Sequence, residues 1–390
     1  MGRNHQIDFF RGFLLVLITF NHFISENNVL IRFTSEGIGW ITGAFGFVFL
    51  SGFTVGLVYT NKFRQKGEEF TYKTAYNRAW LVYKYHIVVL LLTIGLLFTL
   101  GYVRQYWEQP YTAMLTKPAL AAGLGALLLY QPRNLDVLPM YTLFLLFVPW
   151  IIISLHKGTT SQLRVLVVSL ILYLIGTFQI IQISFEQFSW GKWVDTGTFD
   201  ILSWQLIFVA GIFLGYISFD DKLSSYLNRP FVLYSAIAVT LLFFIHRNLL
   251  TPRLVEPKSI EQVLYWTSRK YLRPPRLLNI AAIFVIIRHL MVRYPNWFQY
   301  RPLMYLGKNS IEVFSFHIVV VILLRPINPY LNRIFSLPAF GKYYFFPLET
   351  LLAFVVVASL FLAPTIWEKS SYYYKKIKLL RGNNDSEKLR

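Results

Sequence analysis

A chain of 390 residues that is 55% hydrophobic and 18% aromatic, with a mean hydropathy of +0.47, carries more apolar side chain than a soluble core buries. Its 38 Lys and Arg against 19 Asp and Glu give a net charge of +19, yet these cations cluster at the ends of apolar runs, which points to a membrane and not to nucleic acid. Cysteine is absent, so disulfides, thiolate nucleophiles and Cys-ligated metals are excluded.

Apolar runs of membrane-spanning length lie near 9–25, 38–60, 79–101, 112–130, 138–155, 163–183, 200–217, 230–246, 277–292, 309–327 and 346–366. The first reads as a retained span and not a cleavable leader, because Asp8, Arg11 and His22 interrupt it and no small-residue cleavage site follows. The basic segment 61–78 (Lys62, Arg64, Lys66, Lys73 and Arg78 against Glu68 and Glu69) places itself and the N-terminus in the cytoplasm. The tail, with Lys375, Lys376, Lys378, Arg381, Lys388 and Arg390, calls for the same side, so the number of spans must be even. The weakest of the eleven runs, 112–130, holds Lys117-Pro118 and two glycines and is read as an interfacial or re-entrant helix.

The expected fold is therefore all-α and polytopic, with about ten transmembrane helices and both termini cytoplasmic. An integral membrane domain spans 1–370 and a basic cytoplasmic tail 371–390. Segment 184–199 then falls outside, with Trp190 and Trp193 in an interfacial belt. Segment 247–276 also falls outside, although it carries seven basic residues, Arg253, Lys258, Arg269, Lys270, Arg273 and Arg276 among them, against two glutamates. Either the parity fails or these cations serve an anionic acceptor or lipid phosphates on the outer surface.

Within the first span, Arg11 and His22 are eleven residues, about 16 Å, apart and return to one helical face. Separately they read as a snorkelling anchor and an interfacial histidine. Together they read as a phosphate clamp at the inner mouth of a tunnel and a general base at its far end, the reading favoured by the cost of ionisable groups in a membrane. Ser51-Gly52 with Gly56, followed by Arg78, gives a small-residue packing face and a second candidate phosphate cation. Asp136 is either a helix cap ahead of Pro139 or a carboxylate that orients His22 or binds a sugar hydroxyl, with Tyr141 beside it. Gln205 reads as an interhelical amide or, with Trp204, as an acceptor contact. His317 is either a satisfied interhelical histidine or a catalytic partner, and Lys308 is a further candidate for the phosphate site. No carboxylates accompany the histidines in a metal-like pattern, so no metal site is proposed.

An arginine, ten residues, then a histidine in a first span resembles the membrane-bound acyltransferase 3 superfamily, and IDFFRGFLLVLITFNHF resembles its OpgC-type branch. FVFLSGFTVGLVY (47–59), LDVLPMYTLFLLFVP (135–149), FDILSWQLIFVAGIFLG (199–215) and LGKNSIEVFSFHIVV (306–320) resemble further OpgC segments in the same order, so the likeness covers nearly the whole chain. The resemblance implies a bacterial inner-membrane enzyme without a permanently bound cofactor. It would use acyl-CoA from the cytoplasm, succinyl-CoA by resemblance, to acylate a hydroxyl of a periplasmic glycan acceptor. On this basis His22, Asp136 and His317 are candidate catalytic residues. Arg11, Ser51, Arg78 and Lys308 are candidates for the donor, and Tyr141, Trp204 and Gln205 for the acceptor. The rival reading is a secondary transporter or glycan flippase with the same His and Arg lining a path, although no inverted repeat is found. A lipid acceptor on the same fold also stays open.

Overall fold

The computed structural model describes residues 4–180, 197–218, 225–251, 257–339 and 341–368, with the backbone alone at 257–260. Trp190, Trp193, Arg253 and the tail 371–390 lie outside the described residues, as does the Lys258 side chain. Among the described residues the architecture is helical, apart from a two-stranded antiparallel pair, Leu337–Pro338 with Tyr344–Phe345.

The main helices are α1 (His5–Phe23), α2 (Gly43–Thr99), α3 (Val137–His156), α4 (Thr159–Thr177), α5 (Ile201–Ile217), α6 (Pro230–Ile245), α7 (Pro274–Arg293), α8 (Arg301–Lys308), α9 (Ser310–Leu324) and α10 (Pro347–Ser359). Helix α1 starts where Asn4 Oδ1 accepts from the backbone N–H of Gln6 and Ile7 at 3.1 and 3.2 Å, and Asp8 adds a negative charge to its first turn. The 57 residues of α2 are two legs joined at Gly67, whose φ of 76° lies in the left-handed region that glycine adopts without a Cβ penalty. Segment 61–78 is thus helical on both sides of one break and not an open loop, because its Lys, Gln, Glu and Arg are good helix formers.

Among the described residues, seven helices are long and apolar enough to cross a membrane: α2, α3, α4, Pro230–Leu250, α7, Ser310–Ile334 and Pro347–Glu368. This differs from the expected ten for physical reasons. Gly67 folds α2 into two legs that count once, α5 has only 17 residues, and the polar residues of α1 dilute its apolar character. Segment 112–130 forms Thr112–Thr116 and Pro118–Ala126, broken at Lys117. The 9 residues of the latter rise only about 14 Å, less than half a hydrocarbon core.

Small residues let the helices approach to backbone contact. A Cβ on Gly52 or Gly56 would collide with the carbonyl of Phe208 or Ile212, and Gly211 and Gly215 face α2 in the same way. The packing role read for Gly52 and Gly56 is the one they have. Helices α1 and α8 cross still more closely, with Gly12 against the Leu303 carbonyl and Gly307 against the Asp8 carbonyl.

Two cations of segment 247–276 have internal work. Arg276 Nη1 lies 2.8 Å from Glu36 Oε1 and donates to the Trp40 carbonyl at 2.6 Å, while its Nε donates to the Thr267 carbonyl at 2.5 Å. Arg247 Nε meets the other Glu36 oxygen at 3.4 Å. Two of the seven cations therefore neutralise one acid and tie residues 36–40 to the start of α7.

Candidate functional site

Four helices, α1, the first leg of α2, α3 and α9, enclose the polar interior. Each contributes residues in register to two cavities, one toward the Arg11 end of α1 and one toward its His22 end. The first, about 30 Å³, is lined by Arg11, Ser51, Arg78, Tyr141 and Ser310 among apolar side chains. The second, about 280 Å³, is lined by Asn21, His22, Glu26, Arg133, Asp136, Thr198, Trp204, Arg269 and Arg325. Phe47, Val48, Val137, Met140 and Phe314 line both, so an apolar wall separates the two spaces.

At the His22 end, His22 Nδ1 stands 3.3 Å from His317 Nε2, a hydrogen bond between residues of α1 and α9 that are 295 positions apart. The rings lie at 5.5 Å and 31°. His317 is fully buried behind His22, and His22 is the member that reaches the cavity. Two neutral imidazoles at this distance share one proton, with one nitrogen donating and the other accepting.

The backbone just after His22 is held by a buried carboxylate and its amide partners. Glu349 at the start of α10 accepts from the Ser25 backbone N–H, from Asn28 Nδ2 at 3.2 Å, from Asn328 Nδ2 at 2.9 Å and from Asn332 Nδ2 at 3.2 Å. Asn328 Nδ2 also donates to the Phe23 carbonyl at 2.7 Å. Four neutral donors satisfy the acid, and the clasp ties the end of α1 to the chain that follows α9, fixing one histidine relative to the other.

Asp136 also lines this cavity, but its partner is Thr198: Oδ2 accepts from the Thr198 backbone N–H at 2.9 Å and from its hydroxyl. The capping account of Asp136 does not hold, since its side chain makes no bond to the first turn of α3. Burial raises the Asp136 carboxyl above the ordinary carboxylate range, and the Thr198 hydrogen bonds oppose that rise. Trp204 is fully buried, with one face stacked on Phe45 at 4.7 Å and the ring edge against Phe199 at 4.4 Å. Its Nε1 donates to the carbonyls of Arg269 and Lys270, each at 3.1 Å. That arrangement makes Trp204 a strut of the cavity wall, with at least one face closed to a sugar ring.

At the Arg11 end, Arg11 Nη2 donates to Ser310 Oγ at 2.5 Å, and its guanidinium lies 6.0 Å from the Phe47 ring centroid. Ser51 is buried, and its Oγ has no hydrogen-bond partner among the described residues. Arg11, Ser51 and Arg78, expected together, do share one cavity. Tyr141, expected at the acceptor side, lines this cavity instead, because it lies more than one turn into α3 beyond Asp136. Lys308 is exposed and lines neither cavity: it closes α8, and Asn309 turns the chain before Ser310 opens α9. Gln205 lies off both cavities. It bridges α5 to α4, accepting from Ser169 Oγ at 2.8 Å and donating to the Ser169 carbonyl at 2.7 Å, which is the interhelical role.

Sequence reasoning missed Ser310, Arg133, Arg325 and Glu349. Arg325 and Arg133 each sit beside a proline at the end of an apolar run, where an arginine reads as an ordinary membrane anchor.

The sequence matches the family described as OpgC protein over residues 3–364. No curated protein and no solved structure matches it. The chain therefore belongs to the OpgC family, whose members are in general membrane acyltransferases that modify glucans.

Proposed function

We propose that this chain is an acyl-CoA-dependent O-acyltransferase of the bacterial inner membrane, within the acyltransferase 3 superfamily. It transfers an acyl group, succinyl by family resemblance, to a hydroxyl of a periplasmic glucan. In this reading ten spans place both termini and the Arg11 end in the cytoplasm and the His22 end outside. The observation that carries the proposal is the His22–His317 pair, 3.3 Å apart, at the wall of a cavity of about 280 Å³. A base at the wall of a polar space suits removal of a proton from a hydroxyl. Arg11 and Arg78 at the opposite end suit the phosphates of a donor whose thin arm passes between Phe47, Met140 and Phe314. The glucan oxygen attacks the thioester carbonyl carbon as its proton passes to His22. The tetrahedral intermediate then expels the thiolate, which takes that proton and leaves as free thiol, with an ester on the glucan.

The test uses purified protein in nanodiscs with acyl-CoA and glucan. Free thiol is expected to appear in step with a glucan mass increase of one acyl group per thiol. Exchange of glucan or donor across vesicles without thiol release would overturn the proposal in favour of transport.

Arg11→Ala is expected to weaken CoA binding about tenfold or more, the equivalent of one charged hydrogen bond, with normal membrane insertion. Titration calorimetry on the nanodiscs checks this, and an unchanged affinity removes Arg11 from the donor site.

A further inference from the structure

The cavity at the His22 end holds three arginines, and they are not equivalent. Arg133 is exposed and meets Glu26 at 3.3 Å. Arg269 is exposed at the rim, with its guanidinium 6.0 Å from the Phe199 ring centroid. Arg325 is only 7% exposed, and among the described residues no acid pairs with it and its Nε has no hydrogen-bond partner. The other lining acid, Asp136, is committed to Thr198. A buried guanidinium without a counter-ion is costly, so the fold keeps Arg325 charged in a cavity at a large price unless an anion meets it there.

Arg325 follows the last turn of α9, eight residues and about 12 Å beyond His317, and lines the same cavity as His22. Its guanidinium lies 5.9 Å from the Trp107 ring centroid, and Trp107 is itself fixed by donation from Nε1 to the Ile322 carbonyl at 2.9 Å.

We propose that Arg325 is a catalytic residue that stabilises the oxyanion of the tetrahedral intermediate formed beside His22. The inference rests on the transfer reading above. When the glucan oxygen bonds to the thioester carbon, the carbonyl π pair moves onto oxygen. The guanidinium N–H groups meet that negative charge, and the pair returns to re-form the carbonyl as the C–S bond breaks. Such a donor is preorganised, so it lowers the barrier without reorienting at the moment of reaction.

The experiment measures single-turnover acyl transfer and donor affinity for Arg325→Gln and Arg325→Lys in nanodiscs, each checked for the parent's melting temperature. Arg325→Gln is expected to slow transfer by about 10²–10³-fold with donor affinity within threefold of the parent. Arg325→Lys, which keeps the charge without the planar fork, is expected to fall between the two. Should Arg325→Gln not fold, the Arg325→Lys comparison decides alone. A transfer rate within threefold of the parent overturns the assignment, as does a loss carried by donor affinity. Failure of the parent itself to release thiol onto glucan would count against the transfer reading and not against Arg325 alone.

Discussion

His22→Ala is expected to lower the rate of glucan acylation by about 10²–10⁴-fold, the range supplied by a positioned general base, while the protein inserts and melts like the parent. The rate is read by intact mass of the glucan, and full acylation by a correctly folded His22→Ala protein would refute the assignment. The partner makes the prediction sharper. When His22 Nδ1 donates to His317 Nε2, the remaining His22 nitrogen carries a lone pair, the form a base requires. His317→Gln places a carbonyl oxygen where Nε2 accepts, so it should keep much of the rate. His317→Leu offers no acceptor, frees the His22 tautomer and should fall toward the His22→Ala value. Equal rates for the Gln and Leu variants would show that His317 only fills space.

Gly307→Val is expected to abolish the folded protein, and Gly12→Val to do nearly as much, with recovery from detergent and melting temperature as the readouts. At both positions the atom that a side chain would strike is backbone, the Asp8 carbonyl or the Leu303 carbonyl, so no rotamer change relieves the clash. The pair α1 and α8 must separate, which takes Arg11 out of register with Ser310 and exceeds the cost of about 1–3 kcal/mol usual for overpacking. Gly95→Ala is the control. A Cβ there meets nothing within 4 Å, and alanine is the better helix former, so its stability should be unchanged or slightly higher. Parent-like melting of Gly307→Val would mean the two helices are not in backbone contact.

What sequence alone conveys follows the range of the forces involved. Helix periodicity is local, so the Arg11–His22 face is readable from one segment, and membrane-length apolar runs announce an all-α chain. The pairing of His22 with His317, or of Arg11 with Ser310, depends on how α1 and α9 pack, and nothing within either segment encodes it. Lys308 shows how a short range can mislead. It is two residues from Ser310, a neighbour of Arg11, yet the break at Asn309 assigns it to another helix and turns it outward. The basic segment 247–276 hides a long-range pairing. Two of its seven cations, Arg276 and Arg247, meet Glu36, an acid more than two hundred residues earlier. Charge tallies taken segment by segment cannot register such distant neutralisation.

The apolar wall shared by the two cavities has a bioenergetic consequence. An enzyme that draws on substrates from opposite faces of an energised membrane risks becoming a proton leak, since each elementary charge that slips across dissipates about 2.3 kcal/mol per 100 mV. Phe47 and Phe314, stacked at 5.7 Å, stand with Val48, Val137 and Met140 between the arginine end and the histidine end, and the space behind them holds about one water. Such a gasket interrupts a continuous water wire between the two spaces, so on the transfer reading the bundle hosts chemistry across its thickness without discharging the membrane.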